Sequence, residues 1–305
     1  MVKYIVKRVL AASVTLFLVA TFTFFLMNMV PGGPFLSEKA KSEETTAALK
    51  AKYGLDKPLF TQYLNYLGSA VKGDFGPSIK QRGHTVAQII ADKFPVSASV
   101  GGIAMLLSLC IGVPLGSIAA LKRGKAADNT ILVGATFGIS VPGFVVATLL
   151  IVIFAAKLKW LPSYGLSTWK HYIMPVTALA LYPASYIARL MRSSMLDVIG
   201  QDYIRTAKAK GVSQAGLLFK HALRNAILPI ITYLGPMLAY TLTGSFVVER
   251  ILSVPGLGNE FISSILNRDY TMIMGTTIFL AALLIVLNVA VDIVYTFVDP
   301  RIKLK

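Results

Sequence analysis

From Val9 to Val30 the chain runs without one charged side chain. At 1.5 Å per helical residue, that stretch is long enough to cross a hydrocarbon layer about 30 Å thick. Its twelve Leu, Phe and Val residues favour insertion by about 4 to 7 kcal/mol, before its polar residues are set against them. It exceeds the apolar core of a signal peptide and no Ala-x-Ala exit follows, so a retained helix is expected. Five further stretches share its character: Pro95–Leu121, Thr130–Ala156, Tyr172–Ala188, Ala226–Val248 and Thr271–Val298, the last with one internal acid, Asp292. Only 14% of the residues are charged and 55% are hydrophobic, whereas a soluble domain carries about 25% charged residues. Such a chain cannot cover its own surface in water. The expected fold class is all-α integral membrane, with six transmembrane helices.

The net charge of +16 would suggest nucleic acid in a soluble protein. In a membrane protein it marks cytoplasmic loops. With the N-terminus inside, sixteen Lys and Arg residues fall on cytoplasmic segments and five on the short outer loops. Both termini are therefore expected in the cytoplasm, with a lipid bilayer and no nucleic acid as surroundings. The single cysteine, Cys110, sits in an apolar run and is expected to be a small buried hydrophobe.

The chain thus divides into an N-terminal transmembrane helix (1–30), an extracytoplasmic cap (31–94) and a transmembrane core (95–305) with a cytoplasmic loop at 191–225. The cap opens on Pro31-Gly32-Gly33-Pro34, which cannot continue a helix. Two amphipathic helices follow, around Glu43–Tyr53 and Leu59–Val71, the second with Phe60, Tyr63, Leu64 and Leu67 at helical spacing. The cap is either a docking surface or a packing lid. The outer loop Glu249–Tyr270 is a second candidate contact for an extracytoplasmic partner.

In the cytoplasmic loop Met195, Val198, Ile199, Tyr203 (or Ile204) and Ala207 recur at helical spacing, with Arg205, Lys208 and Lys210 near the end, where cations suit the helix dipole. Gly211 then permits an exit through positive φ. Ser213 can cap a short helix, Gln214–Leu223, exposing Leu217, Leu218 and Phe219 beside Lys220 and His221. Such a segment either projects into the cytoplasm or lies on the anionic leaflet.

Asp202-Tyr203-Ile204-Arg205-Thr206-Ala207-Lys208-Ala209-Lys210-Gly211, followed by His221-Ala222-Leu223-Arg224-Asn225, resembles the "EAA" loop of ABC importer permeases. It is most similar to the variant in B-type permease subunits of oligopeptide and dipeptide importers. Ala207, Gly211 and Leu223 match the general pattern. Arg205, Thr206, His221 and Arg224 replace its Glu, first Ala, Ile and Pro. Further segments resemble the same branch in family order. They are Tyr53-Gly54-Leu55-Asp56-Lys57-Pro58-Leu59, Gly73-Asp74-Phe75-Gly76, Phe94-Pro95-Val96-Ser97, Gly244-Ser245-Phe246-Val247-Val248-Glu249, Pro255-Gly256-Leu257-Gly258, Asn267-Arg268-Asp269-Tyr270 and Asp299-Pro300-Arg301. The resemblance implies a type I ABC importer permease fold in a bacterial or archaeal cytoplasmic membrane. It also implies a second homologous permease subunit, two ATPase subunits, an extracytoplasmic substrate-binding protein and a peptide substrate. Related permeases for nickel or glutathione share these motifs, and an ion-coupled secondary transporter is the alternative of another class.

On that resemblance the chain is not an enzyme and holds no cofactor, with ATP and Mg on the partner ATPases. Its own residues agree. Gly124-Lys125 comes nearest to a phosphate loop, but Ala119 and Ala126 occupy the required glycine and hydroxyl positions. His84, His171 and His221 fall in separate loops without metal-ligand spacing, so no metal site is expected. Asp292 is expected to pair with a nearby cation. The coupling residues expected to meet the ATPase are Ala207, Gly211, Leu217, Leu218, Phe219, Lys220, Leu223 and Arg224, with the apolar three forming a ridge. Candidates for lining a translocation path are Tyr182, Ser185 and Tyr186 on the fourth span and Thr232, Tyr233, Tyr240, Thr241 and Thr243 on the fifth. Tyrosines at span ends also serve as interfacial anchors. Prolines 114, 142, 175, 183, 229 and 236 can kink spans or shape packing. Gly112-x-x-x-Gly116 offers a close helix contact.

Overall fold

The computed structural model describes residues 2–31, 33–35, 43–213, 216–243 and 246–298. Gln214, Gly244, Ser245 and the terminal Asp299-Pro300-Arg301 lie outside that range, as do the side chains of Thr243 and Asp292.

The described chain is helical. In order come α1 (Val2–Met29), α2 (Glu43–Lys52), α3 (Leu59–Ala70), α4 (Val86–Leu121), α5 (Ala126–Ser140) and α6 (Gly143–Leu150), which continues into a π-helical stretch, Ile151–Lys157. Then follow α7 (Trp169–Ile199), α8 (Asp202–Ala209), a π-helical turn (Leu217–Ala222) running into α9 (Leu223–Ala226), α10 (Leu228–Thr243), α11 (Phe246–Ile251), α12 (Leu257–Asn267) and α13 (Tyr270–Val298). Five helices or helix runs among the described residues are long and apolar enough to cross a bilayer, and the bent pair α5–α6 brings the number to six if it counts as one span.

That pair corrects the expected continuous span Thr130–Ala156. The helix stops at Ser140, Val141 and Pro142 are extended, and α6 departs at 97°. Pro142 explains the break. It has no N–H to give the helix, and its ring forces Val141 out of the helical region. Pro175 and Pro183, by contrast, sit inside α7 without ending it.

The chain forms two compact units. One comprises residues 1–96, 256–285 and 304–305; the other comprises 97–255 and 286–303. In the first, Phe24 of α1 is buried against Tyr63 and Met274, with Met27, Tyr66 and Leu67 packed around them. The hydroxyls of Thr21 and Tyr63 are hydrogen-bonded at 2.7 Å. Phe60 and Leu64 of the same amphipathic helix remain exposed. The sharpest feature of this unit is Asp269, 2% exposed at the start of α13. Its carboxylate accepts hydrogen bonds from the Ser78 hydroxyl, the backbone N–H of Ile79 and Lys80, both at 3.2 Å, the N–H of Met272 at 3.1 Å and the Thr271 hydroxyl at 3.0 Å. One side chain therefore caps a helix and clasps the cap segment. Burial lowers the Lys80 pKa, and the Asp269 charge opposes that shift. Asp269→Asn turns one acceptor oxygen into a donor facing donors, and should destabilise the protein by about 1 to 2 kcal/mol. Thermal unfolding in detergent, with protease cleavage near residues 77–85, measures this.

The second unit is built around α7. Within its most apolar window 61% of α7 is buried, which makes α7 the central helix of this unit. Ile187, Met191 and Met195 form its inner stripe, joined by Met105, Ile204, Ala226, Ile230 and Met237. Small residues let neighbours approach closely. A side chain at Gly112 would lie 2.7 Å from the Ala184 carbonyl and 2.8 Å from Ile187. One at Gly116 would collide with the Ala188 carbonyl, and one at Gly138 with the Ser185 hydroxyl. The Gly112/Gly116 pair is thus a packing seam between α4 and α7.

Cys110 is exposed, which corrects the expectation of burial. In a chain whose outer surface is itself apolar, apolar neighbours in sequence say nothing about which way a residue faces.

Candidate functional site

Two regions of the second unit carry the residues expected to act. The first is the segment after α8. Gly211 has φ +78°, a left-handed conformation suited to glycine. Ser213 accepts a hydrogen bond at its hydroxyl from the Gly216 N–H at 3.2 Å, the geometry of an N-cap. The expected single helix from Met195 to Ala207 is in fact two, since α7 ends at Ile199 and α8 begins at Asp202. Ile204 turns inward and is 7% exposed, while the Tyr203 hydroxyl accepts a 2.8 Å bond from the Asn225 side chain. That bond fastens α8 to the segment beyond the glycine turn.

The expected three-residue ridge divides. Leu217, Leu218 and Leu223 pack against the core around Ile204, Ala222 and Ala226. Phe219 is 66% exposed, flanked by exposed Lys220 and Arg224. Ala207 is half-buried and Gly211 exposed. The protruding surface is therefore one aromatic side chain rimmed by two cations. It is carried on a π-helical turn whose closing bond runs from the Leu223 N–H to the Leu218 carbonyl. Successive helical residues point about 100° apart, so Phe219 cannot share the inward face of its leucine neighbours.

The second region lies along α7 and α10. Tyr240 packs on Tyr182 at a centroid distance of 5.7 Å, Tyr182 on Tyr186 at 6.5 Å and Tyr186 on Tyr233 at 4.3 Å. Four of the eight path candidates thus form one continuous aromatic row. Ser185 and Thr241 do not join it: Ser185 is buried against Gly138, and fully buried Thr241 donates to the Met237 and Leu238 carbonyls at 3.1 Å. Thr232 is exposed and donates to the Leu228 carbonyl of its own helix.

Two cavities open along this row. One, of about 360 Å³, is walled by the α5–α6 break (Ser140, Val141, Pro142) together with Tyr182 and Tyr240. The other, of about 400 Å³, is walled by Ile139, Tyr182, Tyr186, Leu190 and Arg189. Ile139 and Tyr182 belong to both. Irregular backbone at membrane depth survives only where protein buries it or a cavity solvates it. The break meets that condition beside the tyrosines. Pro142 was the available signal for it; its coincidence with Tyr182 needs the packing of α5 on α7.

One turn beyond Arg189, Arg192 makes a two-pronged ion pair with Asp128, Nε to Oδ1 at 2.6 Å and Nη2 to Oδ2 at 2.8 Å, and Asp128 also accepts the Gly124 N–H at 2.9 Å. This pair ties the start of α5 to α7. It was not among the expected site residues.

The family described as "Binding-protein-dependent transport system inner membrane component" matches residues 112–304, and the N-terminal component of the same system matches residues 1–101. The chain belongs to this family. It is 47% identical over 304 residues to the dipeptide transport system permease protein DppB of Bacillus subtilis (strain 168), covering 100% of this chain and 99% of that one. It is 44% identical to the oligopeptide transport system permease protein OppB of Salmonella typhimurium (strain LT2), covering 99% and 100%. Among solved structures, the inward-facing MetNI methionine ABC transporter superposes with a TM-score of 0.56 at 16% identity, over 70% of this chain and 97% of that one. That likeness is one of fold: the chain is an all-helical, multi-pass membrane protein built like an ABC importer permease. Within this family the exposed Phe219 patch lies in the segment that resembles the "EAA" loop, and the tyrosine row lies on the two helices that flank that loop.

Proposed function

We propose that this chain is one permease subunit of an ATP-driven importer of dipeptides and oligopeptides. It pairs with a second, homologous permease subunit to form the path. Six spans, with the α5–α6 pair as the third, give a type I importer subunit with both termini in the cytoplasm of a bacterial or archaeal cell. An extracytoplasmic binding protein delivers the peptide. Two cytoplasmic ATPases bind ATP and Mg, and this chain holds no cofactor.

The observation that carries the reading is the full-length likeness to dipeptide and oligopeptide permeases, supported by the exposed Phe219 in the segment that resembles the "EAA" loop. ATP-driven closure of the ATPases moves Phe219 and the turn that bears it. Because Leu217 and Leu218 on the same turn pack on the hydrophobic cluster that also holds Met191, Met195 and Ile230, that motion is passed through the cluster to α7 and α10. The tyrosine row on those helices offers hydroxyls and ring faces to peptide amides without a tight polar site.

Peptide uptake by the assembled importer should persist when the ion gradient is collapsed and stop when ATP is depleted. Uptake that follows the gradient would make the chain an ion-coupled carrier and overturn the reading.

A further inference from the structure

We propose that the groove along α7 reads the free C-terminal carboxylate of short peptides through Arg189. This rests on the reading of the tyrosine row as a peptide path. Tyr182, Tyr186 and Arg189 stand at i, i+4 and i+7, on one face of α7, and all three wall the same cavity. No carboxylate is among the residues lining it. The contrast with Arg192 is informative: that guanidinium is held by Asp128 on both prongs, whereas Arg189 is exposed at the cavity. A guanidinium in such a place, unscreened by an acid of its own and bordered by apolar Ile139 and Leu190, is suited to two-pronged recognition of a carboxylate.

The last carbonyls of α5 end at the break, and Pro142 removes the donor that the Gly138 carbonyl would otherwise meet. Those carbonyls and the first N–H groups of α6, at Gly143 and Phe144, border the cavity shared by Tyr182 and Tyr240, so the break offers a peptide both acceptors and donors. A peptide lying along the groove with its carboxylate at Arg189 has its other end toward the break. Seven positions of α7 span about 10 Å, which about three extended residues cover.

The test uses the importer assembled from this chain, its partner permease, the ATPases and the binding protein, in proteoliposomes. Uptake is measured for trialanine, N-acetyl-trialanine and trialanine amide. The binding protein is the same for every permease variant, so its own preferences cancel in each comparison. Arg189→Gln should lower uptake of trialanine and its N-acetyl form about tenfold, the worth of one charge-assisted contact, and leave the amide unchanged. Arg189→Lys should recover only part of the loss, since an ammonium keeps the charge without the two-pronged geometry. Equal loss of all three substrates, or loss of none, overturns the carboxylate contact. A Tyr182→Ala/Tyr186→Ala pair separates this from the underlying path reading, since it should lower all three substrates together. If that pair transports normally, the path assignment fails as well; sensitive tyrosines beside an indifferent Arg189→Gln overturn the carboxylate contact alone.

Discussion

Phe219→Ser should abolish ATP-driven peptide uptake and release the ATPase subunits while the permease still inserts and folds. Phe219 is the apolar side chain that the coupling turn leaves in the open, and exposed Lys220 and Arg224 border it. A central aromatic anchor in a partner's pocket is commonly worth 2 kcal/mol or more on truncation, so ATPase affinity should fall about thirtyfold or more. Copurification of the ATPases with tagged permease, beside the uptake rate, measures both effects. Leu217→Ser/Leu218→Ser makes the instructive comparison. Those leucines pack on the core with Ile204 and Ala222, so the pair should lower the unfolding temperature before any effect on docking can be read. If Phe219→Ser retains the ATPases and transports normally, the coupling assignment fails.

Gly116→Leu should prevent the protein from reaching its folded state in the membrane. A Cβ at this position collides with the Ala188 carbonyl of α7, and the next nearest atom, Met191 Cβ, would lie at 2.6 Å. Neither can move away as a flexible side-chain tip could, because one is backbone and the other is the root of a fully buried residue. Helices in lipid associate through close packing, since lipid tails are as apolar as the helix faces. Forcing α4 from α7 therefore removes the main attraction as well as adding strain, at a cost of about 3 kcal/mol or more. A sharp monodisperse peak of the detergent-solubilised variant, with unchanged unfolding temperature, would contradict this. Gly102→Leu is the control, because a Cβ there meets nothing within 4 Å.

Much of the local structure follows from short-range chemistry. Pro31 and Gly33 end the first span because one cannot continue a helix and the other takes φ +62°. Glu43–Lys52 and Leu59–Ala70 form close to their expected bounds, the second with the apolar face that buries Tyr63. Gly211 turns the chain through a positive φ that suits a residue without a Cβ, and the Ser213 hydroxyl caps the turn that follows. Longer-range features were not open to such reading. Asp269 and Ser78 meet across 191 positions, and nothing local distinguishes that acid from a solvated loop residue. Helical spacing already separates three consecutive residues such as Leu217, Leu218 and Phe219, but which of them faces the core is set by packing with Ile204, Ala222 and Ala226 in one cluster.

The sequence alone established that this chain spans a membrane several times, that its basic residues cluster on one set of loops, and that a glycine turn and a capped helix interrupt one of them. Those are properties of single segments: length of apolar run, charge per loop, and backbone freedom at one residue. Which faces of the spans meet required the tertiary structure. In lipid the outside of a helix is as apolar as the inside, so hydropathy carries no record of orientation. Close packing at Gly112, Gly116 and Gly138 selects α7 as the centre. The same packing buries Ser185, leaves Cys110 outside, and brings the α5–α6 break against the tyrosines.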